Sequence, residues 1–270
     1  MSLLIFSLLT SAHAWDQGPN LPISECSDDL PFGVPTASRA SATLRCTGGY
    51  ALLHDNDARI AAWAGWTITP DEALGCVPRE DGFVEDLSLP VGRRATPEDY
   101  ARSGFDRGHI VPNADLSWSR QTMLESFLMS NMSPQYPNLN RGAWKYLETN
   151  ERTWAWARRH SITVYAGNIY RTGARTIGKS GVVVPDSLYK ILIDNATGEV
   201  MAFIFPNSAK QEIDLRARLV SVAQVEAAAG VTFPVPVGHD KASVARDVWP
   251  ADQGDMGAAK KTTCTVRVGK

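Results

Sequence analysis

Asp106-Arg107-Gly108-His109 is followed in the chain by Asn131, Asn140 and Glu148. This short stretch sets out an imidazole, a guanidinium, two carboxamides and two carboxylates. A neutral imidazole takes a proton from water at physiological pH. A guanidinium meets a phosphate with two hydrogen bonds and offsets developing charge. Hard oxygen donors hold a hard divalent cation that keeps most of its waters. Together these are the groups needed to hydrolyse a phosphodiester with one metal ion. Arg79, farther upstream, is a second candidate for the phosphate. No H-E-x-x-H segment is present, so a metalloprotease has no support.

Strands and helices must bring these groups together. Residues 50–54 and 61–68, separated by the Asp55-Asn56-Asp57 turn, read as a hairpin. Residues 71–97 are rich in Pro, Gly and Asp and read as irregular. A helix is expected over 120–130, where Met123, Phe127 and Leu124, Leu128 fall at helical spacing. A second should run from near Asn140 to about Arg159, turning Trp144, Leu147, Trp154 and Ala155 inward. That spacing also makes Trp144, Trp154 and Trp156 core residues rather than base-stacking ones. Strands are expected over 162–166, 182–184, 188–193 and 200–205, the last two joined by a turn at Asn195-Ala196-Thr197-Gly198. A final helix fits 211–229, closed by Gly230. Strands mixed with segregated helices make the fold α+β rather than a βαβ repeat.

Placed on these elements, the candidates acquire alternatives. Asn140, just before a helical run, is a helix N-cap as readily as a metal ligand. Glu148, eight residues on, falls about 80° round the helix and ~12 Å along it. That offset favours orienting a metal-bound water over gripping the metal. Asp106 is read as orienting a neighbour, by pairing with an arginine or fixing the His109 loop. Asn131, at a helix end, is read as hydrogen-bonding the site's backbone, with a turn-forming asparagine as the alternative. Gly108 is expected to let the backbone bend so that His109 points into the cleft. His54, His160 and His239 have no such neighbourhood and read as structural or exposed.

The segment Asp106-Arg107-Gly108-His109-Ile110-Val111-Pro112-Asn113-Ala114-Asp115 resembles the active-site motif of the DNA/RNA non-specific endonucleases. These are the ββα-metal nucleases, a group that includes secreted bacterial nucleases and mitochondrial endonuclease G. The likeness continues through Ser130-Asn131-Met132-Ser133-Pro134-Gln135, Leu139-Asn140-Arg141-Gly142-Ala143-Trp144 and Leu147-Glu148. Upstream it takes in Arg79-Glu80-Asp81 and Asp99-Tyr100-Ala101-Arg102-Ser103-Gly104-Phe105; downstream, Val164-Tyr165-Ala166-Gly167 and Val184-Pro185-Asp186-Ser187-Leu188-Tyr189-Lys190. It spans roughly residues 45 to 236. Gly167-Asn168 stands where the family more often has Gly-Pro.

The resemblance implies a ββα-metal fold, with a central, mostly antiparallel sheet flanked by helices. It implies a sugar-non-specific endonuclease acting on DNA and RNA. His109 would be the general base and Asn140 the ligand of Mg²⁺, with Mn²⁺ able to substitute. Arg107, Arg79, Glu148, Asp106 and Asn131 complete the expected site. The rival is a catalytically inactive nucleic-acid-binding domain on the same scaffold. A monomer and a homodimer are both open.

The net charge of −2 argues at first against a nucleic-acid binder. Its distribution argues otherwise. Residues 1–78 hold 3 basic and 8 acidic residues, a net of −5, whereas 79–180 hold 14 and 11, a net of +3. Residues 181–270 balance at 10 each. The positive third is the one holding the motif, as a basic groove requires.

At 270 residues and 44% hydrophobic, with no linker or repeat, the chain is read as one domain over 15–270, its core about 45–236. Residues 237–270 are expected to be a loosely packed tail. Residues 1–14, a short apolar run ending in Ala12-His13-Ala14, read as a signal peptide, with a mature start near Trp15. The run is too short to span a bilayer, and no other run approaches spanning length. Export would make the protein secreted or periplasmic. Cys26, Cys46, Cys76 and Cys264 form an even set with no C-x-x-C pair, which favours two disulfides over a zinc site. Three pairings are possible; Cys26–Cys46 as a local loop, with Cys76–Cys264 pinning the tail, is preferred.

Overall fold

The computed structural model describes residues 17, 20–210 and 212–268, the last three by backbone alone. The expected signal peptide and mature start lie outside the described residues. The strands of the large sheet and of the site are β1 (Ala42–Cys46), β2 (Ala51–Asp55), β3 (Ile60–Ile68), β4 (Asp106–His109), β5 (Met132–Gln135), β6 (Ile162–Ile169), β7 (Ser187–Asp194), β8 (Val200–Pro206) and β9 (Leu219–Val220). Two-residue strands also pair Thr36–Ala37 with Val231–Thr232 and Thr176–Ile177 with Val182–Val183, the last within the stretch expected over 182–184. The helices are α1 (Arg120–Glu125), α2 (Lys145–Arg158), α3 (Val222–Ala229) and α4 (Gln253–Val268).

Seven strands form one antiparallel sheet in the order β9-β8-β7-β6-β3-β2-β1. The expected hairpin is β2–β3, and the expected pair 188–193 and 200–205 is β7–β8. The central strands are apolar on both sides because both faces are covered. Alternation along β7 sends Leu188 and Leu192 into one core with Trp66, Trp144, Leu147 and Trp154. Tyr189, Ile191 and Ile193 enter a second core with Cys26, Cys46, Val225 and Phe233. One core is roofed by α2, the other by α3 and the N-terminal segment.

The site stands on the α2 face and is built from pieces outside the large sheet. β4 and β5 make a separate antiparallel ribbon, His109 opposite Met132 and Asp106 opposite Gln135. A wide turn over Leu139–Trp144, kinked at Gly142 (φ −107°, ψ −112°), leads into α2. Asn168 joins ribbon to sheet: it accepts from the Ser133 hydroxyl at 2.6 Å and donates to the Ala61 carbonyl at 2.9 Å.

Four sequence expectations change. The helix over 120–130 is shorter, ending as α1 at Glu125. Asn140 caps no helix; it lies inside the wide turn, and α2 begins at Lys145. The helix over 211–229 is only α3, because Leu219 and Val220 pair with Phe203 and Ala202 instead, and Ser221 then caps α3 through Gln224. Gly230, at φ 64°, closes it as expected. The stretch read as a loosely packed tail holds the sixteen-residue α4. α4 packs along α2, with Gln253 near Asn150 and the Thr153 hydroxyl 3.6 Å from the Met256 sulfur. Cys76–Cys264 anchors its far end, and Cys26–Cys46 is the other disulfide. Among the described residues no helix is long and apolar enough to cross a membrane.

Candidate active site

Successive side chains of a strand alternate sides. In β4 that places Arg107 and His109 on one side and Asp106 and Gly108 on the other. Arg107 and His109 accordingly line a cavity of about 470 Å³. Arg79, Asn140 and Glu148 line it too, so five of the seven expected site residues meet there. Asp106 and Asn131 lie outside it and act on its walls.

The His109 backbone is held from three directions. Trp144 Nε1 donates to its carbonyl at 3.1 Å and Gln135 Nε2 at 3.4 Å. Asn131 clamps the chain just beyond: its Oδ1 accepts from Val111 N at 2.9 Å, and its Nδ2 donates to the Val111 carbonyl at 3.0 Å. Gly108 serves by close approach rather than by a bend. A Cβ there would lie 2.2 Å from Gln135 Cδ, so any other residue must push the Gln135 side chain aside.

The imidazole packs edge-on against Phe127, with centroids 5.1 Å apart, and lies 5.7 Å from Phe83. Its Nε2 is buried without a hydrogen-bond partner, which leaves Nδ1 as the nitrogen for a ligand in the cavity. Burial holds the ring's pKa down to about 3, with the Arg79 charge adding to the effect and Asp81 opposing it. His109 is therefore neutral at physiological pH. The same aromatic wall carries the two cations, Arg107 at 4.3 Å from the Phe83 centroid and Arg79 at 4.9 Å from Phe127.

Asp106 decides how Asn140 is turned. Its carboxylate accepts from Asn140 Nδ2 at 2.9 Å and from Arg141 Nε and Nη2 at 2.8 and 2.7 Å. Burial raises the Asp106 pKa, but the bonds from Arg141 and Asn140 outweigh it and leave the carboxyl below its ordinary value. A carboxylate can only accept, so the amide nitrogen must face Asp106 and the amide oxygen must face away. That oxygen is a hard donor at the edge of the cavity, and it fits a divalent cation that keeps most of its waters. Among the described residues no group of three or more His, Cys, Asp or Glu side chains could hold a metal, so the donor set does not suit a zinc cage.

Glu148 lines the same cavity as Asn140. Burial raises its pKa to about 7; Lys190 and Arg152 pull it down, and Asp115 pushes it up. Beneath it lies a buried charged layer. Lys190 is fully buried and donates to both Glu151 oxygens at 2.8 and 2.9 Å. Its ammonium stands 4.8 Å from the Trp144 centroid, and Trp144 in turn reaches the His109 carbonyl. Arg152 donates to Asp115 Oδ1 at 2.6 Å, and Trp66 Nε1 to Asp115 Oδ2 at 2.9 Å.

Sequence reasoning missed Arg141, Lys145 and Arg152, which also line the cavity. Helical spacing offered a signal for Arg152, one turn beyond Glu148. It also missed the Phe83–Phe127 wall, which no periodicity marks. With five cations around one carboxylate, the cavity suits a polyanion whose phosphate sits beside a neutral base.

Known proteins share this arrangement of sequence and fold. The profile of a family described as DNA/RNA non-specific endonuclease matches residues 32–238. Mitochondrial endonuclease G of Homo sapiens is 35% identical over 217 residues, covering 75% of this chain and 71% of its own. A nuclease of Nostoc sp. is 34% identical over 233 residues, covering 78% and 84%. Nuclease C1 of Cunninghamella echinulata is 33% identical over 260 residues, covering 88% and 94%. A solved structure described as the EndoG/EndoGI complex shares the fold, with a TM-score of 0.71 at 24% identity, covering 77% of this chain and 91% of that one.

Proposed function

The chain belongs to the DNA/RNA non-specific endonuclease family and is a nucleic-acid-hydrolysing enzyme, and on that premise we propose an exported, Mg²⁺-dependent nuclease with His109 as general base. The observation that carries this reading is the pairing of a neutral His109 with an outward-turned Asn140 oxygen in one cationic cavity. His109 Nδ1 takes the proton of the attacking water as it closes on phosphorus. Arg107 and Arg79 hold the non-bridging oxygens and offset charge as it develops. Asn140 would hold the cation and Glu148, which lines the same cavity, would orient a water beside it; Mn²⁺ is expected to substitute. Asp106 and Asn131 are positioning residues, one aligning Asn140 and the other the His109 loop. When bound, the cation supplies charge stabilisation for the transition state and the leaving oxygen.

Contacts of this kind go to phosphate and sugar, which carry no sequence information. DNA and RNA are therefore both substrates, with little preference for sequence. Export is supported by the two disulfides, which persist in oxidising compartments. Recovery of the active chain from the periplasm or medium, with its N-terminus near Trp15, is the expected result. Mitochondrial relatives make fractionation the deciding measurement.

The test is cleavage of supercoiled plasmid and of RNA, in Mg²⁺ and in EDTA, by the wild type, Asn140→Ala and His109→Ala. Both substrates should be cut with Mg²⁺ alone, and His109→Ala should lose roughly 10²–10⁴ in rate. Full turnover by His109→Ala would remove the base, and cleavage in EDTA would remove the metal.

A further inference from the structure

Arg107 belongs to two cavities. On the side away from His109 it lines a second hollow of about 330 Å³, with Tyr100, Phe105 and Glu98 in its walls. A third hollow of about 410 Å³ begins where that one ends, sharing Glu98 and Ala101, and its walls carry Arg102, Arg175 and Lys179. Shared residues thus join three hollows into one trough leading away from the candidate site.

Among the described residues, Arg102, Arg107, Arg175 and Lys179 form no ion pair, whereas the exposed Arg93, Arg171 and Arg216 each hold a carboxylate. The Arg175 guanidinium lies 5.2 Å from the Phe105 centroid, and Phe105 packs on Tyr136 at 4.7 Å. The Tyr100 hydroxyl is buried with no hydrogen bond, in a residue only 5% exposed. A polar ligand atom in the middle hollow would give that hydroxyl the partner it lacks. Glu98, at the junction of the second and third hollows, opposes these cations, with Asp106 in the wall of the second and Asp99 in that of the third.

We propose that the trough carries the polynucleotide strand flanking the scissile phosphate, with its backbone phosphates on Arg102, Arg175 and Lys179 and one of its polar atoms on the Tyr100 hydroxyl. This rests on the nuclease reading above and adds to it a path for the substrate beyond the reacting bond. Cations that track a strand, with aromatic rings between them, bind single strands with little regard to sequence. Substrate length then becomes a determinant of affinity, because a dinucleotide ends before the third hollow.

The test uses the whole protein with an exposed double variant, Arg175→Ala/Lys179→Ala, and with Tyr100→Phe and Glu98→Gln. Binding of a labelled single strand of about 20 nucleotides is followed by fluorescence anisotropy in EDTA, across a range of salt. Losing two phosphate contacts should flatten the log–log salt slope by about 1.4. The double variant should bind the strand about tenfold more weakly, Tyr100→Phe should also bind more weakly, and Glu98→Gln more tightly. With Mg²⁺, KM for that strand should rise in the double variant while kcat/KM on a dinucleoside monophosphate stays at the wild-type value. Equal affinity and equal salt slope for wild type and double variant would overturn the trough. A wild type that binds with the expected differences but cleaves neither substrate would count against the catalytic reading and still support the trough.

Discussion

Glu148 and His109 look onto one cavity, and burial acts on them in opposite senses. It keeps the imidazole neutral down to about pH 3 and keeps the carboxyl protonated up to about pH 7. The acidic limb of the kcat/KM profile should therefore follow Glu148, with His109 adding no limb above pH 4. The same shift sets a stability cost. The folded Glu148 holds its proton to a higher pH than the unfolded one, so the fold is favoured below the ordinary value of 4.5 and loses that advantage as pH rises through about 7. Glu148→Gln should raise Tm at pH 8, with the gain vanishing near pH 4, while activity falls. A Tm lowered equally at both pH values would refute the assignment. His109 and Asn140 were legible in the sequence by residue type and motif. The turning of Asn140 was not, because it depends on Asp106, which lies 34 positions away in the chain and is held in turn by Arg141.

The β4–β5 ribbon shows why local patterns failed at the site. Its strands are four residues each, one with Gly108 and the other with Pro134, and neither alternates apolar with polar. Nothing local announces strands there; tertiary contacts impose them. Gly108 is the tightest point. Gly108→Ala should push Gln135 off the His109 carbonyl and lower stability by roughly 1–3 kcal/mol, as overpacked interiors do. Thermal melts and kcat together would check it. Adding Gln135→Ala should restore Tm more than kcat, because the space returns but the hydrogen bond does not. The large sheet was far more legible, since β2–β3 and β7–β8 carry long apolar runs and clear turns. The helix over 211–229 was overread because pairing of Leu219–Val220 with β8 overrode its periodicity.

At the scale of the molecule, the order of strands and helices suggested the α+β class and the uneven charge suggested where a basic groove would lie. What composition could not show is that residues beyond 238, outside the matched family segment, fold back on the α2 that bears Glu148. The Cys76–Cys264 bond fastens that return three residues before Arg79. Reducing it should lower stability by roughly 2–5 kcal/mol, read as a drop in Tm with dithiothreitol, and Cys264→Ser should reproduce the drop.

That bond also has a topological meaning. Its two cysteines stand 188 positions apart, so most of the chain forms a closed covalent ring. A protease that nicks one exposed loop inside the ring opens it without releasing a piece. The nicked protein would run as one species without reductant and as two fragments with it, the cavity still assembled from both. Such a build suits an enzyme working among proteases, where the first cut need not be the last of its activity.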